Sequence, residues 1–535
     1  MAVDTTHELY DRFVAVWEKC LDAYEGQQTV KSKGDKYLPR LSGHIMHYDT
    51  TTADDRSRGL LQVQTELEYN QYLKRAVYYN YVRKVTDGLN EQLFRKNVKM
   101  EVPTQMQEII DNFTFSGKSL RTAIKESNRD ILLNYRNVLL LDYPRTETNG
   151  ALSQADVERM NIRPYGIYYK ASDVINWNFE IINNKKTLTK VIIRETIEEQ
   201  SEDDEFSLDE YEQYRVLDLV FAMDDEGNPL PDTKPRYRIR LFRAKETNES
   251  RKKGDGKTDF EQVGDDIIFM VGGKTLDYIP CFFLTAKGIS EDLSYPILND
   301  AVDLNLAHYI NSADYENALN ITGSPTPVII GYDADPDANT EIALGGNRAL
   351  LLNGQGANAF FLEYKGNGLE SIKSAMSAKV DALSVIAGRM LQNDPKGIES
   401  AETAKIHRSA EQGQLSSMAL SLAEAYEYIL NVMATWLGVS GTITVQFNTD
   451  YSDNEMDPQL LATLISARQA GFISPEVFFY NLLRGEMIPE DWTLEQETDA
   501  ISEEKTENMQ LSTGFNDMTD EEIELEAEET EEEEA

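Results

Sequence analysis

Hydrophobic positions recur at three- and four-residue spacing over both ends of the chain and give way to short apolar runs in its middle. Helices are therefore predicted at the ends and strands between them. Residues 4–25 place Leu9, Phe13, Val16, Trp17, Cys20, Leu21 and Tyr24 on one helical stripe. Residues 26–58 are polar and turn-rich around Tyr37-Leu38-Pro39-Arg40-Leu41, the pattern of a loop over a packed body. One long helix is predicted over 62–97, where Leu67, Leu73, Val77, Tyr81, Val85, Leu89 and Leu93 recur, with Tyr69, Tyr72, Tyr78 and Tyr79 alongside. Aromatic stripes of this kind stack bases in some proteins, but core or subunit contact is the commoner use and is the one expected here.

Short helices follow at 106–112 and 120–134, and the apolar run Val138-Leu139-Leu140-Leu141, stopped by Pro144, has the length of a buried strand. From Arg163 the pattern is strands: 165–169, 173–177, 189–196, 214–222, 237–244 and 267–271, in a mixed or antiparallel sheet. Residues 198–212 read as an acidic hairpin insertion and 245–257 as a charged loop.

The stretch from Ser294 to Gly438 organises the rest. Residues 296–320 are helical, with Ser294 and Pro296 placed to start the helix, and apolar residues on more than one face. Residues 322–364 break the period with Gly323, Pro325 and Pro327. They hold the apolar runs Val328-Ile329-Ile330, Ala349-Leu350-Leu351-Leu352 and Ala359-Phe360-Phe361-Leu362, which is strand-and-turn grammar. Helical spacing resumes at Leu369, breaks over 392–397, and runs again from Ser400 to Gly438. At a rise of about 1.5 Å per residue the last helix is roughly 55 Å long. Such a helix draws its stability from packing, so the sequence predicts a subunit that packs side by side with copies of itself, in a ring closed by heterologous contacts. A strand at 442–447, an acidic loop at 450–455 and helices at 458–470 and 475–484 complete the ordered pattern.

Composition narrows the function. With 93 acidic and 52 basic residues the formal charge is −41, which opposes phosphate at long range and argues against a conventional nucleic-acid binder. It suits a solvated surface, or one that DNA passes without sticking. No apolar run is long enough to span a membrane and the start is acidic and polar, so neither span nor signal is expected. Cys20 and Cys281 sit inside apolar patterns and are expected to be reduced core residues.

Catalytic signatures fail one by one. Val271-Gly-Gly-Lys-Thr275 has part of a phosphate loop, but Ile268 stands where its first glycine belongs. His44 and His47 form the one close histidine pair, without a Glu between. No nucleophile elbow or Cys-x-x-Cys pair is present, so no enzyme activity, cofactor or metal is expected.

Leu93-Phe-Arg-Lys with Glu101-Val-Pro103, the junction Asn134-Tyr-Arg-Asn-Val-Leu-Leu-Leu-Asp-Tyr-Pro144, and Arg163-Pro-Tyr165 leading to Asp173-Val-Ile-Asn-Trp177 resemble signature segments of the tailed-bacteriophage portal protein (head-to-tail connector) family. The order helix, strand-rich insert, helix, Pro/Gly loop, long helix resembles the stem, clip, stem, tunnel loop and spine of portals. The resemblance covers roughly residues 60–480. It implies an α+β, mainly helical portal fold arranged in a ring, commonly a dodecamer. In it 1–290 form the wing, 291–320 and 366–391 the stem, 321–365 the clip, 392–399 the tunnel loop, 400–438 the long wing helix and 439–500 the crown. The acidic tail 501–535 has the composition of a disordered segment.

The family further implies a virion protein at the portal vertex of the capsid, assembled in the host cytoplasm. Its partners are the terminase large subunit, a head-completion adaptor, major capsid and scaffolding proteins, and double-stranded DNA passing non-specifically. Candidate DNA-facing residues are Arg389, Asn393, Lys396, Lys405 and Arg408, set against the alternative that Lys405 and Arg408 pair with Glu402 and Glu411 along a helix. Candidate docking residues in the clip are Asp333, Asp335, Asp337 and Arg348. The competing classes are another virion structural protein, of capsid or tail, and a phage DNA-processing enzyme.

Overall fold

The structure, a computed structural model, describes residues 3–41, 65–144, 159, 162–182, 184–201, 204–221, 234–244, 260–323, 326–330, 356, 358–362, 366, 368–386, 401–449, 458–485, 487–489 and 492–503, without the side chains of 326, 401–412 and 414. It forms two compact units, 1–450 and 451–535. The architecture is α+β.

Helix α1 spans Glu8–Glu25, with the His7 ring accepting from the Leu9 N–H at its start. It ends at Gly26, whose φ of +102° and a contact of 2.7 Å between any added Cβ and Asn80 Nδ2 leave room for glycine alone. The segment beyond is not the loop its polarity suggests. It forms α2 (Gln27–Ser32) and a 3₁₀ turn (Gly34–Lys36) that bury Val30, Tyr37 and Leu38.

The single helix expected over 62–97 is two: α3 (Glu66–Arg75), opened by a Thr65/Glu68 capping box, and α4 (Tyr81–Leu93), capped by Asn80. Strand β1 (Lys99–Glu101), α5 (Gln107–Asp111) and α6 (Leu120–Asn134, capped by Ser119) lead into β2 (Arg136–Asp142). The tyrosines of the stripe are core, as expected: Tyr69, Tyr72 and Tyr78 are buried, with Tyr79 at the surface.

Next come β3 (Tyr165–Lys170), β4 (Val174–Ile182), β5 (Lys185–Gln200), β6 (Leu208–Val220), β7 (Arg236–Ala244), β8 (Phe260–Ile268), β9 (Met270–Val271), β10 (Lys274–Thr275), β11 (Cys281–Thr285) and β12 (Gly288–Ile289). They make a four-stranded sheet, β12-β11-β2-β3, and a five-stranded sheet, β4-β5-β6-β7-β8, antiparallel at every pairing. The glycines of the would-be phosphate loop make the tight β9–β10 turn with φ of +56° and +76°, a hairpin turn and not the mouth of a helix.

Tyr10, Phe13 and Trp17 of α1, Val138 and Leu140 of β2, and Val191, Ile193 and Leu217 of the larger sheet share one core. Within it the Arg136 guanidinium is fully buried, 4.1 Å from the Trp177 ring centre and 4.9 Å from that of Phe283. Cys20 and Cys281 are buried and unpaired.

The remaining elements are α7 (Asn299–Thr322), β13 (Thr326–Ile330), β14 (Asn358–Leu362), α8 (Leu369–Ile386), α9 (Ala401–Leu437) and β15 (Thr444–Gln446). Helix α7 starts three residues later than the sequence suggests, after Leu298 and without a side-chain cap, so Ser294 does not cap it. Strand β15 pairs with β1.

In the second unit, α10 (Pro458–Gln469) and α11 (Pro475–Arg484, capped by Ser474) pack on each other, and Phe472 and Tyr480 remain exposed. No helix among the described residues is long and apolar enough to cross a membrane.

Candidate functional site

The candidate site is the segment from α7 to α9. The first half of α7 is anchored: Ala301, Val302, Leu306, Tyr309 and Ala313 are buried. The Tyr78 and Tyr309 rings meet edge to face at 5.7 Å, the Tyr72 hydroxyl donates to Asp314 at 2.7 Å, and Lys19 pairs with Asp303. Polar residues finish the joint. Asn305 is fully buried and bonds to the backbone at the start of α4. His308 sits edge-on to Tyr79 and Tyr81, and burial, aided by the Lys379 charge, lowers its pKa to about 4.

The far half of α7 is different in kind. Leu319 and Ile321 are exposed, and α8, packed against α7, buries only Leu383 and Ser384 among its described side chains.

Between the helices stands the β13–β14 ribbon, antiparallel, with Val328 opposite Phe360 and Pro327 opposite Phe361. Successive side chains point to opposite faces, so Phe360 and Leu362 lie on one face and Phe361 on the other. All three are open to solvent, 43%, 60% and 59% exposed, as is Ile330 at 52%. A two-stranded ribbon of this composition is marginal without a further layer. No third strand joins it among the described residues.

Helix α9 is better provided for than a lone long helix. Leu415, Met418, Ala419, Leu422, Tyr426, Ile429, Leu430 and Met433 are buried, and the helix lies against β11, β12 and β15. Hydroxyls of Tyr426 and Tyr168 meet at 3.2 Å, the Trp436 indole donates to the Tyr278 hydroxyl, and Glu427 accepts from the Val445 N–H. Over 415–434 the chain itself supplies the partner surface that the sequence assigned to neighbouring copies.

The residues singled out from sequence fall where no side chain is described. Lys405 and Arg408 lie on the backbone of α9 within the span whose side chains are not described. Arg389, Asn393 and Lys396, and Asp333, Asp335, Asp337 and Arg348, lie outside the described residues, as do His44 and His47. The feature missed in the sequence is the exposure of Phe360, Phe361 and Leu362. Its signal was present as a continuous apolar run next to Gly354 and Gly356, which reads equally as a buried strand. Among the described residues no group of three or more His, Cys, Asp or Glu is placed to hold a metal ion.

No curated protein matches the chain. Solved structures similar to it include three at TM-scores of 0.34. They are the neck of a native GTA particle computed with C12 symmetry (13% identity, 74% of this chain and 87% of that one), the virion of a native gene transfer agent (GTA) particle, and the neck of an empty GTA particle computed with C6 symmetry (the latter two at 12%, 76% and 90%). Residues 297–437 match a family described as a domain of unknown function, DUF4055, a span that opens just before α7 and closes on the last residue of α9.

Proposed function

We propose that this chain is the subunit of a phage portal, a ring-shaped channel at one capsid vertex through which DNA is packaged and later ejected, and onto which the neck attaches. The observation that carries the proposal is the apolar β13–β14 ribbon, exposed on both faces between two helices of which one, α7, is anchored over its first half. A neighbouring copy supplies the missing layer, and repeated heterologous contact of this kind closes a ring. The order helix, ribbon, helix, long helix and the segments resembling portal signatures favour the same assembly. In it α7 and α8 are the stem, the ribbon belongs to the clip, and residues 392–399 form the tunnel loop.

The charge of −41 fits a conduit, because a wall that bound phosphate tightly would stall translocation. Arg389, Asn393, Lys396, Lys405 and Arg408 are proposed as passing contacts to DNA, and Asp333, Asp335, Asp337 and Arg348 as clip contacts to an adaptor or terminase. The chain is read as non-enzymatic. A virion structural protein without a channel is the second reading, and it shares the apolar ribbon but not the closed ring.

The test is Phe360→Asp/Phe361→Asp in the full chain, followed by light scattering and electron microscopy beside the wild type. The proposal predicts closed rings from the wild type and monomers with an unchanged circular dichroism spectrum from the variant. Equal assembly by both would remove the ribbon as the contact, and tubes or sheets from the wild type would favour the second reading.

A further inference from the structure

Strands β5 and β6 outrun their sheet. Pairing with β4 ends at Val174 opposite Ile193, and pairing of β6 with β7 reaches Gln213 opposite Arg243. Beyond these, the pairs from Thr196 opposite Glu212 to Gln200 opposite Leu208 form a two-stranded ribbon with no third strand among the described residues.

Three features of this ribbon mark it as incomplete. Its register sets Glu198 directly against Glu210, on one face and with no cation paired to either among the described residues. Like charges in that position are destabilising. On the other face Glu199 is held by Arg243 at 2.5 Å, while Asp209 stands opposite it. At the tip, Phe206 and Leu208 are 89% and 62% exposed amid Asp204, Glu205 and Asp209. Where β4 leaves the edge of β5, a groove of about 880 Å³ opens, lined by Ile167, Ile197, Tyr211, Asp173, Glu210 and Arg194 among others. The further arginine on its wall, Arg215, is neutralised by Glu195 at 2.8 Å.

Charge selects the occupant. Nucleic acid shares the ribbon's sign, and no group suited to a metal ion occurs among the described residues, whereas a cationic segment complements Glu198 and Glu210. We propose that the groove and the free edge of β5, from Thr196 to Gln200, receive an extended segment of another protein. Its lysines or arginines sit over Glu198 and Glu210, their aliphatic stems against Leu208 on the same face and Phe206 at the tip, and its intervening apolar side chains meet Ile197 on the other face. Strand addition of this kind draws affinity from backbone hydrogen bonds and specificity from alternate side chains. The segment continues the line of β4 beyond its last pair with β5.

The probe is a fluorescein-labelled peptide of alternating lysine and valine, titrated into the full chain at two salt concentrations. Expected is binding that weakens with salt and falls at least tenfold in Glu198→Gln/Glu210→Gln and in Phe206→Ser/Leu208→Ser. Glu8→Gln/Glu18→Gln, on the exposed face of α1, should leave it unchanged. Hydrogen exchange should show peptide-dependent protection of amides 196–200. These substitutions are at exposed positions and one pair removes a repulsion, so folding is not at stake. Equal affinity in all variants, or protection spread over other acidic surfaces, overturns the proposal. So does calcium protecting the ribbon of the wild type but not of the Gln pair, which marks a cation site. Loss of self-association in the Gln pair overturns it in favour of a contact between copies.

Discussion

Asn305 Oδ1 of α7 accepts the Val82 N–H of α4 at 3.0 Å, capping a helix more than two hundred residues earlier in the chain. The same oxygen accepts from the Tyr81 N–H at 3.0 Å and the Tyr78 hydroxyl at 3.3 Å, and the Asn305 amide donates to the Tyr79 carbonyl at 2.9 Å. One buried side chain thus satisfies the turn between α3 and α4 and ties it to the anchored half of α7. Asn305→Leu strands these groups in the interior and should cost about 2–4 kcal/mol. Asn305→Asp keeps the acceptor but buries a carboxylate with one oxygen against the Tyr79 carbonyl, and should cost at least as much. Urea unfolding of the three proteins checks the order, and an unaffected Leu variant would show that the cap is dispensable.

Arg136 presents the opposite case, a buried cation beside the Trp177 and Phe283 rings with no acceptor for Nε, Nη1 or Nη2. Burial pushes its pKa down to about 9. Arg136→Met removes the uncompensated charge while keeping volume, and should be neutral to stabilising by about 1–3 kcal/mol. Arg136→Ala leaves a hole between Trp17, Trp177 and Phe283 and should destabilise by about 2–4 kcal/mol. Between pH 9 and the ordinary arginine range the unfolded chain holds the proton and the folded chain does not. Wild type should therefore gain stability relative to the Met variant as pH rises through 9. A constant difference would contradict the depressed pKa.

His308 predicts the acid limb. Its folded pKa of about 4 lies below the ordinary 6.5, so the folded chain binds fewer protons in that window. Stability from neutral His308 is whole above pH 6.5 and is lost as pH falls toward 4, on the order of 3 kcal/mol. The stability of wild type should fall relative to His308→Phe as pH drops over this range, and parallel curves would exclude His308 as the source.

Tyrosines set the alkaline limb. Burial raises Tyr69 and Tyr426 to about 12 and moves Tyr72, Tyr78 and Tyr309 upward as well. A raised folded pKa means stability that is present below pH 10 and lost as pH climbs beyond it. Phenolate absorbance at 295 nm should rise in two phases, the later one with loss of the circular dichroism signal. A single phase near pH 10 with the fold intact would contradict the burial of these rings.

How far the sequence carried is clearest at particular residues. Helix α6 and strand β2 were legible because the helical spacing over 120–134, the apolar run 138–141 and Pro144 are local signals. The division of 62–97 into α3 and α4 was not, because the group that stabilises the break is Asn305, remote in sequence. The segment after Gly26 looked like a loop because its few apolar residues, Val30, Tyr37 and Leu38, follow no long period, yet all are buried. Helix α9 invited an external partner, and β11, β12 and β15 fill that place over its second half. In the candidate site the run 359–362 fixed a strand but not its exposure, since composition is the same for a strand buried by its own chain and one awaiting another. The basic and acidic residues chosen for contact with DNA and partners rest on the portal resemblance alone.

The most direct test of the central claim is negative-stain electron microscopy of the purified full chain, with its mass from light scattering. The account predicts closed rings with a central hole and a mass that is a fixed multiple of 60.7 kDa. A monomer or dimer at every concentration, or open tubes and sheets without a hole, would contradict it.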